Sequence, residues 1–105
     1  MQRELAVESL PESALYAAAA FMALHLEGAR ALLAEADTTA LAILLPPAAH
    51  DHRDWRRALA RDLAREVAPK RVNLVAGSPG EARDATLRFL GDAPGVTGQY
   101  LVCHV

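Results

Sequence analysis

Apolar residues in this chain fall into short blocks separated by turn-forming residues, and the period within each block predicts its element. Residues 4–8 (Glu-Leu-Ala-Val-Glu) read as a short strand. Pro11, Glu12 and Ser13 then open a helix. Proline is tolerated in a first turn, and acids suit the positive end of the helix dipole. Residues 14–35 are nearly all strong helix formers, so one long helix is predicted there. Through Leu26 it is apolar on every side, and such a helix has to be covered on more than one face. It belongs either in the centre of the domain or at an oligomer interface.

Asp37-Thr38-Thr39 ends that helix. Residues 41–45 (Leu-Ala-Ile-Leu-Leu) are continuously apolar between turn signals, the pattern of a buried parallel strand. Pro46-Pro47 stops it, and a second helix is predicted from His50 or Asp51 to Val67. On it Trp55, Leu59, Leu63 and Val67 form a stripe of large groups suited to a sheet. Ala60, Ala64 and Ala68 form a stripe of small ones suited to close helix approach. Residues 71–76 predict a strand, Gly77-Ser78-Pro79-Gly80 a turn, and residues 81–90 a third helix with Ala82, Ala85, Leu87, Phe89 and Leu90 as its apolar positions. Residues 91–95 are a loop, and residues 99–105 (Gln-Tyr-Leu-Val-Cys-His-Val) a last strand. Strands alternating with helices over short connections predict an α/β sandwich with a parallel sheet of three or four strands. The first two helices are expected on one face and the third on the other.

Composition narrows the picture. A chain of 105 residues is expected to form a single domain with a modest core. Hydrophobic residues make up 52%, high enough to suggest that part of the surface is hidden in a partner. The net charge of −2 argues against nucleic-acid binding. Seven of the eleven basic residues lie in segment 51–71 (Arg53, Arg56, Arg57, Arg61, Arg65, Lys70, Arg71), but Asp51, Asp54, Asp62 and Glu66 alternate with them. That mixture reads as a solvated, ion-paired helix face. The lone Cys103 cannot form an internal disulfide and fits a reducing compartment. The longest apolar run, residues 14–24, is too short to span a bilayer, and the N-terminus lacks the pattern of a signal peptide. A cytoplasmic protein with no membrane partner is expected.

Three sequence stretches then carry more than a fold class. Residues 57–73 read RALARDLAREVAPKRVN; Arg88-Phe89-Leu90 is followed by Val96-Thr97-Gly98-Gln99-Tyr100-Leu101-Val102; and Leu24-His25-Leu26-Glu27-Gly28 lies upstream. In that order they resemble the C-terminal half of the short-chain dehydrogenase/reductase family: its helix running into an R-V-N strand, its F-L…V-T-G-Q-x-L-V ending and its central V-N-L-x-G. The resemblance covers about residues 20–105 and implies a truncated Rossmann-like three-layer α/β sandwich, with residues 4–8 as what remains of the family's fourth strand. It also implies dimers or tetramers. Helices equivalent to residues 14–35 and 51–67 would form a four-helix bundle across a twofold axis, and the last strand with its preceding helix a second interface.

The family's chemistry does not carry over. A dinucleotide needs a glycine-rich strand-to-helix turn for close backbone approach, and the sequence has none: Gly77 to Gly80 aligns with a plain turn of the family. Its reaction needs a tyrosine made acidic by a lysine, and a serine that polarises a carbonyl. Those positions fall on Ala49, Arg53 and Pro46-Pro47, and the family's helix asparagine falls on His25. Tyr16 and Tyr100 have no lysine at a family spacing. His50-Asp51-His52 carries metal-ligand atoms, but histidines at i and i+2 diverge on a helix, and capping of the helix by Asp51 or His50 explains them better. Cys103 reads as a buried inert thiol, facing away from His104. No catalytic, cofactor-binding or metal-binding residue is therefore assigned. The sequence predicts a pseudoenzyme subunit that assembles as a homo-oligomer or with a full-length reductase. The alternatives are a small-molecule binding domain using a cleft near Pro46, His50 and Gly77, or a half-enzyme completed by a nucleotide-binding chain.

Overall fold

A computed structural model describes residues 1–103; His104 and Val105, the end of the predicted last strand, lie outside the described residues. The chain forms strand β1 (Gln2–Ala6), helices α1 (Ala14–Leu24) and α2 (Leu26–Ala34), strand β2 (Ala40–Leu45), a 3-10 turn (His50–His52), helix α3 (Arg53–Val67), strand β3 (Arg71–Ala76), helix α4 (Glu81–Gly91) and strand β4 (Tyr100–Val102). The four strands make one parallel sheet in the order β1-β2-β3-β4. Every residue of β2 and all but the first of β3 are buried, as expected for central strands covered on both faces.

Alternation along these two strands builds two cores. Leu41, Ile43, Leu45, Val72 and Leu74 point to one face and meet Phe21, Ala29, Leu33, Leu59 and Leu63 from α1, α2 and α3. Ala42, Leu44 and Val75 point to the other and meet Leu87 and Leu90 from α4. The predicted layering, with the first two helical segments on one face and the last helix on the other, is what the chain adopts. The fold is Rossmann-like, with four strands and four α-helices among the described residues. No single helix among the described residues is long and apolar enough to cross a membrane.

Several elements depart from their predicted form. The helix predicted over residues 14–35 is two helices bent by 45° about His25. The buried positions Ala17, Phe21, Ala29 and Leu33 explain the break. They step in multiples of four, and each four-residue step turns a straight helix about 40° past a full circle, so Leu33 would end about 160° away from Ala17. The interruption lets both pairs face the sheet. The first strand sits two residues earlier than predicted, because Gln2 to Ala6 pair with Ala40 to Leu44 in register. In α4, Phe89 is exposed while Leu87 and Leu90 carry the contact. The alanine stripe of α3 meets a loop rather than another helix: Ala60 is buried, and a Cβ placed on Gly98 would lie 3.4 Å from the Ala64 Cβ.

The loop before β4 is clasped to the start of β3. The Asn73 amide donates from Nδ2 to the Val96 carbonyl (3.0 Å) and accepts at Oδ1 from the Gln99 N–H (3.1 Å). The Val72 N–H donates to Thr97 Oγ1 (3.0 Å), and the Gly98 N–H to the Val72 carbonyl (2.7 Å). Gly98 has φ +72°, a conformation that glycine adopts without penalty. Arg71 Nη1 donates to the carbonyls of Leu90 (2.8 Å) and Ala93 (3.0 Å), closing the end of α4.

Candidate functional site

The carboxyl ends of the strands open onto residues 7–13, 46–49 and 77–80, the edge at which open α/β sheets place their ligands. Three pockets meet there around Pro47. One, of about 370 Å³, lies between Val7, Pro46 and Gly77 and includes Arg83 in its wall. The second, of about 280 Å³, lies under Leu10 and Pro11, with His52 and Arg56 in its wall. The third, of about 360 Å³, is bordered by Ala49, Arg53, Tyr100 and Cys103.

The positions that the resemblance equates with the family's reactive groups are brought together here. Pro47, Ala49 and Arg53 line the third pocket, with His50 beside them. His25 is not among them; it stands at the α1–α2 break with its ring 5.8 Å from that of Phe21. The histidines at 50 and 52 part company as their spacing implies. His50 and Asp51 are exposed, and His52 is buried. The expected cap is absent: no side chain of the 3-10 turn bonds the helix start. His52 instead accepts the Trp55 indole N–H at Nδ1 (3.2 Å), which makes Nε2 the donor to the Glu12 carbonyl (2.8 Å). That pair ties the loop before α1 to the start of α3.

Arg56 overturns the expectation of a uniformly solvated basic face. Arg57, Arg61 and Arg65 are exposed as expected, with Arg65 paired to Asp62. The Arg56 side chain is turned inward and the residue is only 1% exposed. Its Nη1 donates to the Pro46 carbonyl (3.0 Å) and to the Tyr100 hydroxyl (3.1 Å). Its guanidinium carbon lies 5.4 Å from the ring centre of Trp55 and 5.8 Å from that of Tyr100, within cation–π range. Its Nε has no partner among the described residues. Residue type alone assigns an arginine to solvent, so the sequence reading missed it. The available signal was the helical period. His52, Arg56, Leu59, Ala60 and Leu63 are the buried positions, and they recur at i, i+4, i+7, i+8 and i+11.

Two other groups complete the edge. Arg83, in the first turn of α4, also has an Nε without a partner among the described residues. Cys103 is half-buried rather than buried, because β4 is a three-residue edge strand; its Sγ is 3.3 Å from Thr86 Oγ1. Gly77 packs against it, and a Cβ there would lie 3.0 Å from the Cys103 Cβ, so this glycine serves close packing. Arg53, Arg56 and Arg83 give the edge a cationic character, met at its rim by Glu8 and Glu12. No group of three or more histidine, cysteine, aspartate or glutamate side chains gathers to hold a metal among the described residues.

A four-stranded parallel sheet flanked by helices, with pockets at its carboxyl edge, defines a truncated Rossmann-like unit. A family model described as short chain dehydrogenase-like protein matches residues 5–103, and the chain belongs to that family. No curated protein and no solved structure matches it significantly.

Proposed function

We propose that this chain is a non-catalytic subunit of the short-chain dehydrogenase-like family that acts through assembly, with itself or with a full-length reductase. The observation that carries the reading is the outer face of α1. Leu15, Tyr16, Met22 and Leu24 are 79%, 70%, 45% and 74% exposed on a helix with no charged residue. Leu15, Ala19, Met22 and Ala23 follow at i, i+4, i+7 and i+8 and form one stripe with Tyr16 beside it, while Leu24 stands at the end of the helix on the opposite side. Contiguous apolar surface of this kind is characteristic of interfaces. Ala49, Arg53 and Pro46-Pro47 support the non-catalytic part, since none supplies the proton donor or the carbonyl-polarising hydroxyl of the family reaction. A cytoplasmic setting belongs to the same reading, on the strength of a single cysteine in the sequence.

Sedimentation velocity tests it. The chain is expected to sediment above its 11.2 kDa monomer mass, alone or when co-expressed with a reductase, and Leu15→Glu/Met22→Glu to return it to monomer. A monomer from about 1 µM to about 100 µM that also ignores the reductase overturns the proposal. A second reading is favoured by one feature: β1 is an edge strand whose outer side pairs with nothing among the described residues. In that reading a nucleotide-binding chain adds its strands beyond β1 and completes an enzyme. It predicts a rise in melting temperature with NADPH only when such a partner is present.

A further inference from the structure

We propose that the pocket beneath Pro11 and Pro46-Pro47 binds the carboxylate of a small apolar acid, with Arg56 as its anchor. A guanidinium stays charged at every physiological pH, and burial without a counter-charge is unfavourable. Arg56 is almost fully buried, yet among the described residues no carboxylate lies within ion-pair distance of it. The Pro46 carbonyl, the Tyr100 hydroxyl and two aromatic faces offset part of the charge, and the two hydrogen bonds both use Nη1. Nε is left without a partner, and Nη2 makes no hydrogen bond among the described residues. Nε and Nη2 together form the side of the fork that a carboxylate engages with both oxygens; Nε is closed to solvent, so an acid engages both only as the pocket wall yields.

The rest of the pocket selects the class of acid. Its walls are Leu10, Pro11, Pro46, Pro47 and two alanines, which suit a hydrocarbon or aromatic body. His52 is committed at both ring nitrogens, so Arg56 is the one charged donor on offer. A phosphate, with more oxygens and more charge, would leave most of its acceptors facing prolines. The volume of about 280 Å³ equals that of about nine water molecules, which limits the ligand to a small monocarboxylate. Glu12 is the one carboxylate on the wall; it is exposed, and its side chain does not reach Arg56. Its charge at the entrance opposes an anion.

Titration with benzoate and isobutyrate, followed by amide and arginine Nε–H chemical shifts, decides the matter. The expected result is a saturable shift of Arg56 Nε–H and of residues 10–12 and 46–49, with a dissociation constant of about 1 mM or tighter. Benzamide should leave these resonances in place, Glu12→Gln should tighten binding, and Arg56→Met should abolish it. Where Arg56→Met fails to fold, Ala49→Phe, which fills the pocket from its exposed rim, should abolish binding instead. No saturable shift at about twenty times that concentration overturns the proposal, as does an equal response to benzamide. Inorganic phosphate that moves the same resonances as strongly as benzoate overturns the assignment to carboxylates. The readout is independent of oligomeric state, so its failure leaves the assembly reading to sedimentation.

Discussion

Asn73, Thr97 and Gly98 show how much chemistry rests on three side chains or their absence. Asn73 uses both ends of its buried amide to hold Val96 and Gln99, and its neighbour Val72 is bonded to Thr97 and Gly98. Asn73→Ala leaves the part-buried Gln99 N–H and Val96 carbonyl without these partners, and should lower unfolding stability by about 1–3 kcal/mol. Gly98→Ala puts a side chain at φ +72° close to Ala64 and should cost about 1–2 kcal/mol. Urea midpoints at unchanged m-value would measure both. The letters of this clasp were legible: R-V-N and V-T-G-Q are the stretches that carried the family resemblance. That they are two halves of one hydrogen-bonded unit was not, because the pairing joins residues more than twenty positions apart. Arg56 was illegible for another reason. Its type argues for solvent, and only its place in the helical period argues for burial.

At the scale of the element, strands β2 and β3 were readable to within a residue, because central parallel strands are apolar throughout. The break between α1 and α2 was not readable, since neither glycine nor proline marks it and His25 is an unremarkable helix residue. Only the demand that Ala17 and Leu33 reach the same sheet produces it. One ion pair braces the second of these helices from outside. Arg30 donates to Glu66 through Nε (3.0 Å) and Nη2 (3.1 Å), joining α2 to α3, and also contacts Glu27 (3.2 Å). The bond to Glu66, then that to Glu27, raises the Arg30 pKa above its usual value. The sign follows from linkage: a raised pKa in the folded state stabilises it at every pH below the unfolded value, and the effect is lost only as pH climbs through the raised one. The contribution is therefore constant across neutral pH. Salt is the better probe, because these groups are exposed. Arg30→Gln should melt earlier than the parent at low ionic strength. The gap should close near about 1 M NaCl, where the screening length is about 3 Å; a gap that persists would mean that α2 is held by packing lost with the arginine stem.

At the scale of the whole molecule, layering and strand direction were legible. The place of the cleft near Pro46, His50 and Gly77 was legible too, but its division into three pockets was not, since that depends on where three loops meet. The sheet order has one further consequence. β2, β3 and β4 lie side by side in that sequence and point the same way. α3 passes from β2 to β3 over one face, while α4 passes from β3 to β4 over the other. Two crossovers that step in the same lateral direction over opposite faces must have opposite hands. The connection through α1 and α2 shares the face of α3, so those two agree and the last differs. Since about 98% of parallel crossovers are right-handed, the β3-α4-β4 turn is the left-handed one. Its connection runs against the natural twist of strands, and the clasp at Asn73 and Gly98 and the Arg71 bonds to the end of α4 hold it in that sense. Native-state hydrogen exchange should find the amides of α4 and β4 opening at a lower free energy than those of β2 and β3, and opening lower still in Asn73→Ala. In the mirror logic of chain topology, the chain spends its most specific side-chain contacts where its chirality is least favoured.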